Sequence, residues 1–455
     1  MAQVTPTPPK GMRDFGPTEM ARRQYMFGCI KIQFQRFGFQ PLETPAMEKL
    51  ETLTGKYGEE GDRLIFKVMN SGDFFRSIKG KVDHIEGLDS RKHASLLSEK
   101  ALKYDLTVPF ARYVSQHRHA LPLPFRRYQM QPVWRADNPQ KGRYREFYQC
   151  DADIIGSDSL NHEVELLLLF NEVFLSLGFP QAIVRLNNRK ILAGIAEMLG
   201  VSDRLIPMTM ALDKKDKIGM DGVAKELEER GFSSTEIEGI RDVFSQTSPD
   251  LQTLKTLVAG HSTATKGVEE LAQILRSVGE SGVWELKAEL DITLARGLDY
   301  YTGAIMEVVI PDSGMGSVAA GGRYDNLTHM FGWEGVSGVG ISFGADRLYD
   351  LMLQYQLFPE NLDAGPDYFF LQFGEEFFPT LLPLVMQLRR KGLQVGFYPE
   401  AHTKMAKQMK YADAIRAQRV VMLGPEELAH QQVKVKDMVT GAEQVVDVKT
   451  FIDHA

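Results

Sequence analysis

Arginine and tyrosine side chains stand directly before a strand-like segment of this 455-residue chain. Residues 294–303 read Leu-Ala-Arg-Gly-Leu-Asp-Tyr-Tyr-Thr-Gly, and the apolar run of residues 304–310 follows. The guanidinium group of Arg296 is a planar fork suited to a carboxylate or a phosphate. The hydroxyls of Tyr300 and Tyr301 can fix the orientation of a polar ring. Taken alone, the segment fits an ordinary turn into a strand equally well.

A second segment has the pattern of a hairpin with basic residues at its base and tip. Strands are predicted at residues 125–133 and 147–155, and the loop between them carries four cationic residues when Arg135 is included. Such a hairpin suits phosphate groups, although a solvated basic hairpin is the alternative.

The return strand of this hairpin has polar residues at every second position. Gln149, Asp151 and Asp153 would share one face of a regular strand. An amide and two carboxylates on one face are costly to bury without a ligand or partners.

Three further segments place polar residues beside predicted elements. Asp105 and Thr107 alternate with apolar neighbours, so on a strand they would share a face. Residues 321–325, Gly-Gly-Arg-Tyr-Asp, are interpreted as a glycine turn that lets backbone approach a ligand. A strand at residues 336–343 leads into a helix with Arg347 in its first turn, where the helix N-terminus also favours anions.

The bulk composition is that of an ordinary soluble protein with two or three domains. The net charge is −7, so contact with a nucleic acid would depend on local basic patches. Cys29 and Cys150 are too few for a disulfide scaffold and lack metal-site spacing. Neither a signal peptide nor a membrane-spanning run is recognised, which predicts a cytoplasmic protein without membrane contact.

The predicted elements fall into two domains joined by a linker. Residues 1–355 form the first, interrupted at about 190–282 by a charged, helix-prone insertion. Residues 71–99 show no periodicity and are predicted to be a surface excursion. Residues 356–366 are the linker, and residues 367–455 alternate between strand and helix as in a small α/β domain.

The second helix predicted in that small domain has a basic face. Its cationic residues are Lys404, Lys407, Lys410 and Arg416. The pattern suits an RNA backbone, but a charged solvated face is the commoner explanation of such a run.

Four of these segments together resemble histidyl-tRNA synthetases, a family of class II aminoacyl-tRNA synthetases. They are residues 104–112, 126–156, 294–303 and 338–348. The resemblance covers nearly the whole chain. It implies an α+β fold: a class II antiparallel-sheet catalytic domain with a helical insertion, followed by a C-terminal α/β anticodon-binding domain.

The resemblance also implies a reaction and its partners. L-Histidine would be attached to tRNA(His) through a histidyl-adenylate formed from ATP, with Mg²⁺ bridging the phosphates by protein ligands that the sequence does not identify. Residues 39–47, around Pro45, resemble the first class II motif, which forms the dimer interface in this family. A homodimer is therefore expected, although a simple strand terminator also explains the proline.

The resemblance assigns roles to the cationic residues. Arg135 would contact the α-phosphate and the amino-acid carboxylate, Arg296 the same centre from the opposite side, and Arg347 the distal phosphates and adenine. Asp137 and Arg143 are expected near ATP. The basic face of the C-terminal domain is expected to bind tRNA.

The expected histidine-binding residues divide between the two ends of the amino acid. Acceptors for the ammonium would come from Asp105, Thr107 and Gln149, and the imidazole would meet Asp153 and one of two tyrosines. The full predicted set is Asp105, Leu106, Thr107, Arg135, Gln149, Asp153, Arg296, Tyr300 and Tyr301. Asp153 stands where many bacterial members carry glutamate.

Two non-catalytic classes compete with this interpretation. A regulatory paralogue serving histidine biosynthesis would lack the C-terminal domain and show an eroded 294–303 motif, whereas this chain retains both. A sensor of uncharged tRNA would lack one or more of Arg135, Arg296 and Arg347, and all three are present. The sequence therefore favours the enzyme.

Overall fold

In the described part of the chain, the strands that precede residue 345 belong to two sheets. In chain order they are β1 (Gln40–Pro41), β2 (Met47–Lys49), β3 (Lys67–Val68), β4 (Lys100–Leu102), β5 (Phe125–Trp134), β6 (Glu146–Ile155), β7 (Ile183–Asn188), β8 (Lys287–Leu290), β9 (Ala304–Val309), β10 (Ala319–Tyr324) and β11 (Gly338–Gly344). The larger sheet has the order β1-β5-β6-β11-β10-β9-β7-β8, and the smaller one β2-β4-β3. In the larger sheet only the β1–β5 and β7–β8 pairs are parallel.

Among the described residues up to 354, most helices lie between residues 161 and 280. In chain order the helices are α1 (Pro17–Arg36), α2 (Leu50–Leu53), α3 (Gly58–Arg63), α4 (Thr107–Gln116), α5 (Asn161–Ser176), α6 (Arg189–Met198), α7 (Leu205–Leu212), α8 (Lys215–Glu229), α9 (Ser234–Phe244), α10 (Leu251–Leu257), α11 (Ser262–Glu280) and α12 (Ala345–Gln354). Parallel neighbours such as β7 and β8 need a crossover connection. Helices α6 to α11 lie within that connection.

This computed structural model describes residues 5–55, 57–73, 94, 96–245, 249–295, 301–360, 362 and 364–454. Arg296, Tyr300 and most of the segment 71–99 lie outside the described residues. The chain divides into two compact units whose main boundary falls between residues 358 and 359, and residues 16–22 group with the second unit. No helix among the described residues is long and apolar enough to cross a membrane.

One face of the large sheet is covered by an aromatic core. Phe34 of α1 and Phe170 of α5 place their ring centroids 5.9 Å and 5.3 Å from that of Phe343 on β11. Cys150 and Ala152 of β6 belong to the same buried cluster. Because side chains alternate along a strand, the residues between them point to the opposite face of the sheet.

The segment predicted as a glycine turn is strand β10, so that prediction is wrong. β10 pairs with both β9 and β11. A Cβ atom on Gly321 would lie 2.2 Å from the Gly340 carbonyl oxygen, and one on Gly322 would lie 2.6 Å from that of Ala304. The glycines are needed for the close approach of neighbouring strands, not for a turn.

The prediction of a strand at Asp105 and Thr107 is also wrong. β4 ends at Leu102, and Thr107 begins α4. The Asp105 carboxylate accepts a hydrogen bond from the backbone N–H of Val108 at 3.1 Å. It thus satisfies a donor that the first helical turn would otherwise leave without a partner.

A buried ion pair ties β10 to α5. The Arg323 guanidinium contacts the Glu163 carboxylate through two nitrogens, with one Nε–Oε1 distance of 2.6 Å, and it also donates to the carbonyls of Ser157 and Ser159. The Glu163 side chain is fully buried. Removing one charge of such a pair leaves the other uncompensated.

We expect Glu163→Gln to lower the free energy of unfolding by about 2 kcal/mol, the usual worth of a hydrogen bond to a charged group. Urea denaturation of the variant measures this loss. Glu172→Gln, on the same helix, is the comparison. A variant as stable as the wild-type protein would show that the pair does not stabilise the fold.

The second unit has its own five-stranded sheet. Its strands are β12 (Tyr368–Phe370), β13 (Val395–Phe397), β14 (Arg419–Met422), β15 (Gln432–Asp437) and β16 (Glu443–Asp447), in the order β13-β12-β14-β15-β16. Its helices are α13 (Phe378–Arg390), α14 (Met405–Ala414), α15 (Pro425–Ala429) and α16 (Val448–His454). Adjacent residues Phe369 and Phe370 belong to different buried clusters, so both faces of this sheet are covered.

The predicted basic face lies on and around α14. Lys404 precedes the helix, Lys407 and Lys410 lie within it, and Arg416 follows it. All four side chains are exposed. The sequence predicts this helix over residues 404–418, and α14 ends at Ala414, four residues earlier.

Candidate active site

A cavity of about 960 Å³ opens in the first unit. Its walls come from β6, β10, β11, the β5–β6 loop, the segment before α4, and the helical segment between β7 and β8. Nine of the residues predicted to bind a substrate line it: Asp105, Thr107, Arg135, Asp137, Arg143, Gln149, Asp153, Tyr301 and Arg347. Residues that are far apart in sequence are thus brought to one place.

Three predicted residues do not belong to this described lining. Leu106 does not line the cavity, and its side chain is fully buried. Its carbonyl oxygen lies 3.4 Å from a guanidinium nitrogen of Arg127. Arg296 and Tyr300 lie outside the described residues.

One wall of the cavity carries the polar face of β6. Asp153 accepts a hydrogen bond from the Tyr324 hydroxyl at 2.6 Å and pairs with Arg127 at 2.7 Å. Burial raises the pKa of Asp153, whereas Arg127 and the Tyr324 hydroxyl act in the opposite direction. The fully buried Arg127 therefore favours the ionised form of Asp153, which burial disfavours.

A second buried carboxylate approaches the cavity from the start of α4. Asp105 accepts hydrogen bonds from the Tyr57 hydroxyl at 2.9 Å and from the Val108 N–H. Burial raises its pKa, and these hydrogen bonds together with Arg135 and Arg127 oppose the rise. Its second oxygen, Oδ2, has no hydrogen-bond partner among the described residues.

Arg135 is held in a defined orientation at the base of the β5–β6 hairpin. Its Nε donates to the Tyr104 carbonyl at 3.1 Å, and its guanidinium carbon lies 4.2 Å from the Tyr104 ring centre and 5.2 Å from that of Phe147. Stacking on aromatic rings fixes the plane of a guanidinium group. The fork is thus oriented before any ligand is present.

Arg347 joins helix α12 to the hairpin loop. Its Nε donates to the Gly142 carbonyl at 2.8 Å and one Nη to the Ser317 carbonyl at 2.5 Å. Arg143, in the same loop, lies 3.5 Å from Asp137 and is 40% exposed. Cationic groups therefore surround the loop end of the cavity.

Sequence reasoning missed several residues of this lining. Tyr324 was missed because residues 321–325 were interpreted as a turn, although a tyrosine is a residue type that can hydrogen-bond a polar ligand. Tyr57, Ile206, Met210, Asp213, Lys214 and Arg230 also line the cavity. The last five come from the helical segment, where nothing in the local pattern distinguishes a cavity wall from a solvated surface.

The arrangement separates two kinds of binding group. Carboxylates and an amide on the β6 and α4 side suit a cationic or hydrogen-bond-donating ligand, whereas arginines on the loop side suit carboxylate and phosphate. No group of three or more histidine, cysteine, aspartate or glutamate side chains able to hold a metal ion occurs in the described part of the chain.

Comparisons with known proteins agree with this geometry. The histidyl-tRNA synthetase family model matches residues 97–348, and an anticodon binding domain model matches residues 369–454. The histidine–tRNA ligase of Porphyromonas gingivalis is 52% identical over 98% of both chains, and that of Christiangramia forsetii is 49% identical over the same shares.

A solved structure shows the same fold. The crystal structure of histidyl-tRNA synthetase from Nostoc sp. PCC 7120 has a TM-score of 0.78 and 29% identity, and the match covers 99% of this chain and 100% of that one. The predicted α+β fold class is confirmed. The extent and identity of these matches establish that the chain belongs to the histidyl-tRNA synthetase family.

Proposed function

We propose that this protein is a histidine–tRNA ligase. It catalyses attack of the histidine carboxylate on the α-phosphorus of ATP, which gives histidyl-adenylate and pyrophosphate, and then transfers the histidyl group to the terminal ribose hydroxyl of tRNA(His). The observation that carries the proposal is the cavity in which a carboxylate wall faces a cluster of arginines. The carboxylate wall suits the ammonium and imidazole groups of the amino acid, and the arginines suit the phosphates of the nucleotide.

The carboxylate wall selects histidine. Asp153 and Tyr324 are already hydrogen-bonded to each other and receive the imidazole, with Tyr301 or Tyr300 as the further hydroxyl. Asp105, Thr107 and Gln149 receive the ammonium group. A pocket whose buried polar groups only the right side chain satisfies rejects analogues by roughly 10⁴-fold.

The arginines align the reacting groups. Arg135 binds the histidine carboxylate and the α-phosphate. Arg296, which lies outside the described residues, is assigned to the same centre by its place in the 294–303 motif. Arg347 and Arg143, with Asp137, bind ATP. Phosphoryl-type transfer needs alignment and charge compensation more than covalent help from the protein, so rigidly held guanidinium groups are sufficient.

Magnesium is expected at this site as a companion of the nucleotide. Mg²⁺ usually keeps several waters and binds through one or two carboxylates plus substrate phosphates. The described residues offer no three-residue cage, in keeping with that mode. When bound, the ion would offset the charge of the phosphates.

The remaining assignments concern domains and assembly. Residues 1–355 are the catalytic domain, whose insertion at about 190–282 closes over the acceptor end of the tRNA. Residues 356–366 are a linker and residues 367–455 bind the anticodon stem-loop. The insertion's contribution to the cavity wall, which includes Lys214 and Arg230, supports this proposal.

We also propose a cytoplasmic homodimer that associates through residues 39–47. Strand β1 is at the edge of the large sheet, and Pro41, Pro45 and Met47 are exposed. An exposed edge of this kind can pair with another chain. Sedimentation of the purified protein at the mass of one chain would contradict the dimer.

Charging of tRNA tests the proposed function. Purified protein, ATP, magnesium and labelled histidine should transfer label to tRNA(His) and not to another tRNA. Failure to charge this tRNA with an active preparation would contradict the proposal.

The basic face of α14 gives a separate prediction. Lys407→Glu combined with Lys410→Glu should raise the KM for tRNA about tenfold or more, because two phosphate contacts become repulsive. Histidine-dependent pyrophosphate exchange, which needs no tRNA, should be unchanged. Lys391→Glu in the same unit is the comparison. An unchanged KM for tRNA would remove this face from the tRNA site.

A further inference from the structure

Asp151 is a buried carboxylate of the cavity wall to which no role has yet been given. It lies between Gln149 and Asp153 on the polar face of β6 and is 1% exposed. Ser342, opposite it on β11, provides a hydrogen bond. Its other oxygen, Oδ1, has no hydrogen-bond partner among the described residues. A buried carboxylate oxygen without a partner is costly, so it points to a ligand.

Three other acceptor atoms of the same cavity are also buried and without a hydrogen-bond partner in the described part of the chain. One of them, Oδ2 of Asp153, forms an ion pair with the Arg127 guanidinium at 2.7 Å, so it is not left for a ligand. The remaining two are Oδ2 of Asp105 and Oε1 of Gln149. The Gln149 amide is oriented by donation from Nε2 to the Ser342 hydroxyl at 2.9 Å, which leaves its oxygen for a ligand. An ammonium group has three N–H donors, as in lysine. The three buried acceptor atoms of Asp105, Gln149 and Asp151 can take one donor each, and the Thr107 hydroxyl proposed above is then a further acceptor that shares one of them.

The charges around Asp151 favour a cation. Asp105, Asp151 and Asp153 are three buried carboxylates, and the fully buried Arg127 is already paired with Asp153 at 2.7 Å. Lys103 is occupied by the Thr44 carbonyl and the Gln131 amide oxygen at 3.2 Å and 2.7 Å. Neither cation forms an ion pair or a hydrogen bond with Oδ1 of Asp151 in the described part of the chain, although Arg127 acts on its charge from a greater distance.

The position along β6 separates the ammonium from the ring. Residues two apart on a strand are about 7 Å apart, which is comparable to the span of histidine from its ring to its ammonium group. Asp153, with Tyr324, is proposed above as the ring partner. An ammonium group at Asp151 therefore lies one such step from Asp153, and the longer Gln149 side chain begins one step further along the strand.

We propose that Asp151 is a specificity-determining residue: its Oδ1 accepts a hydrogen bond from the ammonium group of bound histidine and completes a three-acceptor seat with Asp105 and Gln149. The inference rests on the proposed function and adds a residue to its amino-acid site. A site with this contact binds ligands that carry the ring but lack the ammonium group more weakly than histidine.

The titration of Asp151 gives this seat a pH dependence. Burial raises its pKa to about 7, Arg127 lowers it, and Asp153 and Asp105 raise it. Burial also raises the pKa of the neighbouring Cys150 and lowers that of Lys103 to about 8. A bound cation favours the ionised form of Asp151. Its contribution to affinity is therefore present above pH 7 and is lost as the pH falls through 7.

Two inhibitors that differ only in the ammonium group test the proposal. Histidinol carries both ring and ammonium, and 3-(imidazol-4-yl)propan-1-ol carries the ring alone. Asp151→Asn should weaken histidinol binding at least tenfold, as expected for loss of a charged hydrogen bond, and leave the ring-only compound within about twofold. In pyrophosphate exchange the KM for histidine should rise at least tenfold while the KM for ATP stays within about twofold. Asp158→Asn, an exposed carboxylate just after the same strand, should behave as wild type.

If Asp151 had only a structural role, its protonation would not change the preference for histidinol over the ring-only compound, so the pH profile of this preference is a separate test. The preference for histidinol over the ring-only compound should fall between pH 8 and pH 6 in the wild-type protein, because Asp151 becomes protonated near pH 7. In Asp151→Asn the preference should be smaller and flat. The two rings titrate differently, because the ammonium group of histidinol lowers the pKa of its ring. The ring pKa of each free compound is therefore measured, and each dissociation constant is referred to the neutral-ring form before the ratio is taken.

Several outcomes would overturn the inference. Equal weakening of both inhibitors in Asp151→Asn would show a disrupted pocket or a ring contact, and unchanged binding of both would remove Asp151 from the site. Asp151→Ala provides a second test, with its thermal midpoint measured to show that the variant is folded. If Asp151→Ala is folded and still prefers histidinol as the wild type does, the seat does not exist. Absence of histidine-dependent exchange in the wild-type protein would instead refute the proposed function.

Discussion

Replacing Arg135 by alanine should reduce histidine-dependent pyrophosphate exchange by roughly 10²–10³-fold, the usual effect of removing one preorganised group that stabilises a transition state. The loss should appear in kcat as well as in kcat/KM for ATP and for histidine. Steady-state exchange kinetics at saturating magnesium measure it.

The size of this effect follows from how Arg135 is held. Its Nε is fixed by the Tyr104 carbonyl, and its plane is set by the Tyr104 and Phe147 rings, so the fork is not free to find another orientation. Arg135→Lys keeps the charge but loses the planar fork. We expect it to recover only a small part of the activity.

A matched control separates this role from a general effect of charge. Arg276 is exposed on α11 in the same unit, and Arg276→Ala should exchange as well as the wild-type protein. If Arg135→Ala retained activity within a factor of about three of the wild type, Arg135 would not be at the reacting centre.

The second large effect is expected at Asp153, which contributes both to the proposed binding of histidine and to the stability of the fold. Asp153→Ala leaves the fully buried Arg127 without its 2.7 Å partner. Breaking a buried pair by removing one partner costs about 3–5 kcal/mol, and Asp151, which also interacts with Arg127, should keep the loss near the lower figure. The variant should also lose most of its histidine-dependent pyrophosphate exchange, because the Tyr324 hydroxyl loses its acceptor.

A double variant distinguishes these two losses. Adding Arg127→Met to Asp153→Ala removes the uncompensated charge, so urea denaturation should show part of the stability restored. Histidine-dependent exchange should remain low. If exchange recovered together with stability, Asp153 would act only through the fold and not on the imidazole.

The elements that carry a long apolar pattern could be predicted from the sequence. β5, β6 and β11 lie within about two residues of their predicted bounds, because alternation or continuous burial over many residues is a strong signal. The alternation at Asp105 and Thr107 extends over only three residues. A helix start with a capping aspartate produces the same short pattern. In the structure the Asp105 carboxylate accepts a hydrogen bond from the Val108 N–H, so the segment begins a helix and not a strand.

The set of residues that line the candidate site was harder to predict than the segments that form it. Arg135, Gln149 and Arg347 could be named because each belongs to a recognisable segment, and the comparisons confirm the family in which those segments occur. The hydrogen bond between Tyr324 and Asp153 joins residues 171 positions apart. Lys214 and Arg230 reach the cavity from a helical segment. Such partners depend on tertiary packing, which a local pattern does not report.

The most direct test of the central claim is pyrophosphate exchange into ATP with each of the standard amino acids in turn. The purified protein, with ATP, magnesium and labelled pyrophosphate, should incorporate label with histidine and with no other amino acid. Histidine binding detected by calorimetry without any exchange would contradict the account. The protein would then be a regulatory or sensing member of its family instead of a ligase.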